Sequence, residues 1–144
     1  MPRFAPIAVP DSATYTVKAF NSGIPHMLPD LTADIVITLP APKVGLDFEF
    51  WYAGAAADAQ DWLIDTTSNT YFFKGGVVYV DTDAGDAADE VFTVMADGNS
   101  NSKLTVLTPQ GGTWVRVYCD GTNWYVNGFV ASTSASSAAF ADQA

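Results

Sequence analysis

The sequence predicts an all-β protein, an antiparallel β-sandwich or jelly roll with an extended N-terminal arm and a flexible C-terminal tail. About ten short segments alternate between apolar and polar residues, and turn-forming residues separate them at spacings of roughly 8–12 residues. No segment has the periodicity of a convincing helix, which excludes a parallel βαβ architecture. Hydrophobic residues make up 49% of the 144 residues and charged residues 15%, which is typical of a packed globule.

The first element is an arm over residues 1–12. Prolines at positions 2, 6 and 10 exclude a helix there and favour an extended, polyproline-like conformation. Two interpretations remain open: a frayed terminus, or an arm that docks on a neighbouring subunit or partner. For the second, the candidate partner-binding residues are Phe4, Ile7 and Val9. We expect the arm to stand outside the domain's core, because the strand pattern begins only at Ala13.

The β-sandwich domain spans residues 13–130. Its clearest strand is 46–52, where Leu46, Phe48, Phe50 and Tyr52 share one face. Turn-forming clusters separate the strands, and residues 74–76, Lys-Gly-Gly, are predicted to be one such hairpin turn. The predicted strands are 14–20, 35–39, 46–52, 62–65, 71–73, 77–80, 91–95, 103–108, 113–119 and 124–127.

Residues 131–144 are predicted to be a mobile tail. Their composition is dominated by alanine and serine, and Phe140 is the one large apolar side chain that they could bury. The sequence pattern gives this segment no strand.

Charge and hydropathy limit the partners. Six Lys and Arg against sixteen Asp and Glu give a net charge of −10, so a nucleic acid would meet net repulsion. No apolar run approaches the roughly 18 residues that span a bilayer, which argues against a membrane partner. The N-terminus also lacks the apolar stretch of a secretory signal.

The residue inventory predicts no enzyme, no metal site and no cofactor. One cysteine and one histidine exclude an internal disulfide and any Cys/His zinc cluster. Cys119 follows Val115 and Val117 in alternation, so it is predicted to be a small core residue. His26 lies between two prolines without a nucleophile motif nearby, which indicates a packed or surface histidine rather than a catalytic one.

An acidic segment at residues 81–90 has the carboxylates that calcium prefers, but not their spacing. Position six of an EF-hand loop would be Asp86 where glycine is required, and position twelve would be Phe92 where glutamate is required. The prediction is a solvated acidic loop between two strands that needs no metal, and the alternative is a calcium site of a kind other than the EF-hand.

The tryptophans allow two interpretations. Their aromatic faces could stack on sugar rings, but strand aromatics more often fill a core or an interface. The four positions are Trp51, Trp62, Trp114 and Trp124.

An ordered set of motifs resembles small virion proteins of tailed bacteriophages. A "TLP" strand end precedes a "G-hydrophobic-x-F-x-F" strand, and "G-x-W-V" and "DGTNWYV-G" hairpins close the domain. The matching segments are Ile37-Thr-Leu-Pro40, Ala41-Pro-Lys-Val-Gly45-Leu-Asp-Phe-Glu-Phe50, Gly112-Thr-Trp-Val-Arg-Val117 and Asp120-Gly-Thr-Asn-Trp-Tyr-Val-Asn-Gly128. The match covers roughly residues 13–130, and the proline-punctuated arm has no counterpart in the shared pattern.

The resemblance implies a capsid decoration, or cement, protein. Such proteins are β-rich homotrimers that sit on the outer capsid surface of the virion after synthesis in the host cytoplasm, and they bridge subunits of the major capsid protein. The alternative that the same resemblance leaves open is a tail-fibre or receptor-binding module that recognises glycans through exposed aromatic residues.

Overall fold

The computed structural model describes residues 5–82, 91–133 and 138–143. One 3₁₀ turn, Ala19–Asn21, is the single helical element among them. The strands are β1 Ile7–Ala8, β2 Thr14–Thr16, β3 Pro25–Leu28, β4 Ile35–Thr38, β5 Asp47–Tyr52, β6 Trp62–Asp65, β7 Phe73–Asp81, β8 Val91–Met95, β9 Lys103–Val106, β10 Trp114–Cys119, β11 Trp124–Ser132 and β12 Ala138–Ala141.

The strands form two sheets that pack face to face. The large sheet has seven strands in the order β1-β3-β5-β10-β11-β7-β8, and the small sheet has five in the order β12-β9-β6-β4-β2. The predicted all-β sandwich is confirmed.

The sheets are mixed rather than antiparallel, which corrects the predicted pairing. In the described part of the chain, the parallel strand pairs are β1–β3, β3–β5, β2–β4, β4–β6 and β7–β11. From β1 to β7 the chain alternates between the large and the small sheet at every strand. Parallel neighbours need a long crossover connection, and in the four pairs between β1 and β6 a strand of the opposite sheet supplies it in place of a helix.

The core lies between the sheets and follows the alternation seen in the sequence. In β5, Phe48, Phe50 and Tyr52 are buried, and the predicted inward face of that strand is confirmed. The largest fully buried side chains are Trp62 and Trp124. Cys119 is also fully buried in this core, as predicted.

The N-terminal arm joins the large sheet. Ile7 and Ala8 form β1, which pairs in parallel with His26 and Met27 of β3. Val9 is buried in the core, and its N–H donates to the carbonyl of Met27 at 2.9 Å. The expectation that the arm stands outside the core is therefore wrong for Val9.

The predicted mobile tail contributes two strand segments, so that prediction was wrong for the described residues. Strand β11 continues through Ser132, and β12 pairs antiparallel with β9 at the edge of the small sheet. Ala138 is buried, and the Phe140 ring lies 6.0 Å from the Phe73 ring between centroids. An alanine-rich segment can form an edge strand because the exposed ladder of β9 supplies the pairing, which composition does not reveal.

The predicted turn at residues 74–76 is the interior of β7. Gly75 has φ +90°, and a Cβ at this position would lie 2.5 Å from the carbonyl oxygen of Val126. A Cβ on Gly76 would collide with the backbone of Val94. Both glycines therefore allow the neighbouring strands to approach closely, which is a known role of glycine inside a strand.

Candidate functional site

The outer face of the large sheet carries an apolar row that crosses the strands in register. Successive strand pairings align Met27 with Trp51, Trp51 with Trp114, Trp114 with Phe129 and Phe129 with Val78. The outer face of the small sheet differs, since its aligned rows consist mainly of threonine and small or aliphatic residues. The outer face of the large sheet is therefore the one that carries a row of aromatic side chains.

Two of the four tryptophans lie on this face. The rings of Trp51 and Trp114 stack, with centroids 5.7 Å apart and planes inclined by 22°. The Trp51 indole Nε1–H donates to Glu49 Oε2 at 3.1 Å. Trp62 and Trp124 are fully buried, so the four tryptophans cannot form one sugar-stacking platform.

An open pocket lies beside the apolar row, and we call it the tyrosine pocket. Its volume is about 250 Å³, and it is lined by Arg116, Tyr118, Tyr125, Val126 and Asn127. Tyr118 lies directly opposite Tyr125 in the β10–β11 pairing, and Arg116 lies opposite Asn127.

The charged groups of the tyrosine pocket are held by ion pairs and hydrogen bonds. Arg116 donates from Nε to Asp47 Oδ1 at 2.9 Å and from Nη2 to Asp47 Oδ2 at 2.6 Å, a two-pronged ion pair. A hydrogen bond with Asp120 raises the pKa of the Tyr125 hydroxyl. The backbone N–H groups of Asn123 and Thr122 donate to Asp120 Oδ1 and lower the pKa of Asp120. Lys74, opposite Tyr125 in β7, makes a smaller contribution in the same direction.

A second surface, which we call the apolar edge, lies where β8 ends the large sheet. Its members are 40–66% exposed and carry no charge: Val78, Val91, Phe92 and Met95. The Phe92 ring stacks on Tyr79 at 5.9 Å between centroids. Thr93, Val94 and Ala138 join these two rings around an opening of about 280 Å³ between β8 and β12.

His26 is packed among the aromatic rings of the core. Its side chain is fully buried and contacts three rings, those of Tyr15, Phe48 and Phe50, at centroid distances of 5.3–6.0 Å. Burial lowers the pKa of His26, and the backbone of Ile24 offsets part of that effect. The prediction of a packed histidine is confirmed.

The acidic segment falls mostly outside the described residues. Asp81 ends β7 and is buried, whereas residues 83–90 are not described, so the prediction of a metal-free loop stays a prediction. Elsewhere in the described chain, no group of three His, Cys, Asp or Glu residues is arranged to hold a metal ion.

The candidate residues of the arm have different positions. Phe4 lies outside the described residues, Ile7 is half-buried in β1 and Val9 is buried in the chain's own core. Val9 is therefore not available to a partner while β1 stays in the sheet. No helix in the described residues is long and apolar enough to cross a bilayer.

Sequence reasoning missed the tyrosine pocket, although the signal was present. Arg116 and Tyr118 alternate with the inward residues Val115, Val117 and Cys119, which already assigns them to an outer face. What the sequence lacked was the register that brings Tyr125 and Asn127 opposite them.

No known protein family, no curated protein and no solved structure matches the chain.

Proposed function

We propose that this protein is a structural component of a bacteriophage particle, a capsid decoration protein that binds the outer surface of the head as a homotrimer and bridges major capsid protein subunits. The ordered motifs of residues 37–50 and 112–128 support the proposal by their resemblance to such virion proteins. The observation that carries it is the apolar edge, because a protein of this kind binds by burying surface against other protein subunits.

The apolar edge has the properties of a protein-binding surface. An exposed hydrophobic edge strand has free backbone donors and acceptors on one side and is a template for pairing with another chain. In the antiparallel pairing of β8 with β7, Ala96 N–H donates to the Gly75 carbonyl. Because every second residue bonds to the neighbouring strand, Val91, Thr93 and Met95 direct their backbone N–H and C=O groups away from β7.

Charge favours contact at this edge over other surfaces. The chain carries a net charge of −10, so two copies repel each other over most approaches. None of the residues in β8 is charged, and the β7 residues paired with them are uncharged as well. Association along β8 itself therefore buries uncharged, largely apolar surface.

The arm gives the proposed trimer a second contact. Residues 5–8 are largely exposed, and β1 is the opposite edge of the large sheet. Phe4 and Ile7 remain the proposed contacts of this arm, whereas Val9 anchors the arm to its own domain. Many weak contacts of identical copies on one capsid would add up through multivalency.

The test is binding to phage heads that lack the decoration protein. The variant Val91→Lys with Met95→Lys should reduce occupancy at least about tenfold, because lysine on an edge strand opposes pairing. The matched control is Thr14→Lys with Thr16→Lys, which adds the same charge on the exposed edge strand β2 of the small sheet. Equal occupancy of wild-type protein and the β8 variant would contradict the proposal.

The number of copies per particle distinguishes a decoration protein from the alternative, a tail-fibre module. A decoration protein is present in hundreds of copies per particle and a fibre in a few tens at most, so the stoichiometry on a stained gel of purified virions distinguishes the two. A mass near 15.3 kDa by light scattering at micromolar concentration would limit the trimer to assembly on the capsid.

A further inference from the structure

We infer that the tyrosine pocket is a binding site for a neutral saccharide. This inference goes beyond the proposed virion role and does not depend on it. The pocket lies on the outer face of the large sheet, and its two tyrosines are 42% and 44% exposed. The pocket is lined by residues of β10 and β11, whereas the apolar edge lies on β7 and β8, so the two surfaces can be tested independently.

The pocket combines the two kinds of group that a sugar ring requires. A pyranose presents C–H groups on its faces and hydroxyl groups around its rim. Tyr118 and Tyr125 offer rigid aromatic surface, and each carries a hydroxyl that can bond to the rim. Arg116 and Asn127 form the next residue pair on the same face, two residues further along the strands, and offer donors and an acceptor.

The guanidinium of Arg116 is oriented before any ligand arrives. The ion pair with Asp47 uses one hydrogen on Nε and one on Nη2 of Arg116, so three of the five guanidinium N–H groups remain for a ligand. Interaction with Asp120 raises the pKa of the Tyr125 hydroxyl, which therefore keeps its proton and can donate to a ligand. A pre-oriented site loses less side-chain entropy on binding, which matters most for a small ligand.

Local charge indicates a neutral rather than an acidic saccharide. Arg116 and Lys74 balance Asp47 and Asp120, and Glu49 adds a further negative charge next to Arg116. An anionic sugar would therefore meet no uncompensated cation in the pocket and would approach a chain of net charge −10. A neutral sugar meets neither obstacle.

Pocket size sets the expected ligand and affinity. A volume of about 250 Å³ lies below the usual range of about 300–1,000 Å³ for drug-sized ligands, so we expect one sugar ring to occupy it. A single open site of this size binds weakly, and display of many copies would raise the apparent affinity for a glycan-coated surface.

The test uses the full chain, labelled with ¹⁵N, titrated with the methyl glycosides of glucose, galactose, mannose and N-acetylglucosamine. At least one glycoside should shift the amide resonances of residues 116–118 and 125–127. Tyr118→Ala and Tyr125→Ala should each weaken that binding by about tenfold. Tyr118→Phe keeps the ring and should retain most of the glycoside binding. This variant shows whether a loss of binding in Tyr118→Ala comes from the missing ring or from misfolding.

Phe92→Ala is the matched control, because it removes an aromatic ring of similar exposure from the same sheet outside the pocket. It should leave saccharide binding unchanged, even if it reduces oligomer formation. Methyl glucuronide, an acidic saccharide, should bind more weakly than its neutral counterpart.

Three outcomes would overturn the inference. One is the absence of shifts with every glycoside, and another is shifts confined to residues outside the pocket. The third is a lower oligomer mass for Tyr118→Ala in light scattering, which would show that a second copy of the chain covers the pocket. None of these results bears on binding of the apolar edge to the capsid, so the failure of either proposal can be recognised separately.

Discussion

The imidazole ring of His26 packs against the ring of Phe50 inside the core, with centroids 5.3 Å apart. The two residues are cross-strand partners in the parallel pairing of β3 with β5, and both are fully buried. Tyr15 is the other titratable group in contact with the imidazole, and burial raises its pKa, so it stays neutral over the same pH range. The rings that contact the imidazole belong to Tyr15, Phe48 and Phe50. None of these side chains can form an ion pair with a charged imidazolium.

This packing predicts a pH-dependent stability. Because burial lowers the pKa of His26 below the ordinary value of 6.5, the unfolded chain takes up a proton first as the pH falls. The free energy of unfolding should be constant well above pH 6.5. It should then decrease below that pH by at most about 1.4 kcal/mol per pH unit, until the folded pKa is reached.

Thermal unfolding of wild-type protein and His26→Leu, followed by circular dichroism between about pH 7.5 and 5, measures this effect. The variant should lose the histidine-dependent slope. Asp61 and Asp65, whose pKa values are raised by burial, act in the opposite direction in both proteins, so the difference isolates His26. Identical slopes would contradict the prediction.

Val9→Ala should destabilise the domain by about 1.5–3 kcal/mol, because it removes two buried methyl groups and leaves a cavity. Urea unfolding monitored by tryptophan fluorescence is the measurement. Pro10→Ala, at an exposed neighbouring position, serves as the control and should have little effect. A Val9→Ala variant as stable as wild type would show that β1 is not part of the folding unit.

Phe140→Ala should lower the free energy of unfolding by about 1–3 kcal/mol, less than for a fully buried phenylalanine because this ring is half-buried. The substitution removes the ring that packs against Phe73. Ala139→Ser, at an exposed position of the same strand, should change stability by less than about 0.5 kcal/mol. Hydrogen exchange of the β9 amides that face β12 provides an independent readout, since detachment of β12 would leave those amides unprotected while the amides that face β6 stay bonded.

Alanine substitutions at three glycines distinguish the cost of backbone strain from the cost of a steric collision. Gly75→Ala meets both a φ of +90° and the Val126 carbonyl, so it should destabilise by more than the roughly 1–2 kcal/mol of strain alone. Gly112→Ala, with φ +96° and open space, should show strain only. Gly111→Ala, with neither obstacle, should be close to neutral. Urea unfolding of the three variants measures the differences, and equal effects at positions 75 and 112 would contradict the collision.

Local alternation was enough to determine the inward residues of the strands. Phe48, Phe50 and Cys119 are buried as predicted, because a side chain's face depends only on its parity along an extended strand. Strand β3 escaped prediction because prolines 25 and 29 bracket it, although a proline at the first position of a strand is allowed.

Tertiary structure alone decided how the strands are arranged and which surfaces result. The alternation of residues along one strand cannot reveal that successive strands belong alternately to two sheets. The assignment of strands to sheets depends on crossovers between distant segments. For the same reason, the sequence could not show that Trp51 and Trp114 are cross-strand partners whose rings stack. The sequence by itself determined an all-β sandwich, and long-range register determined the tyrosine pocket and the apolar edge.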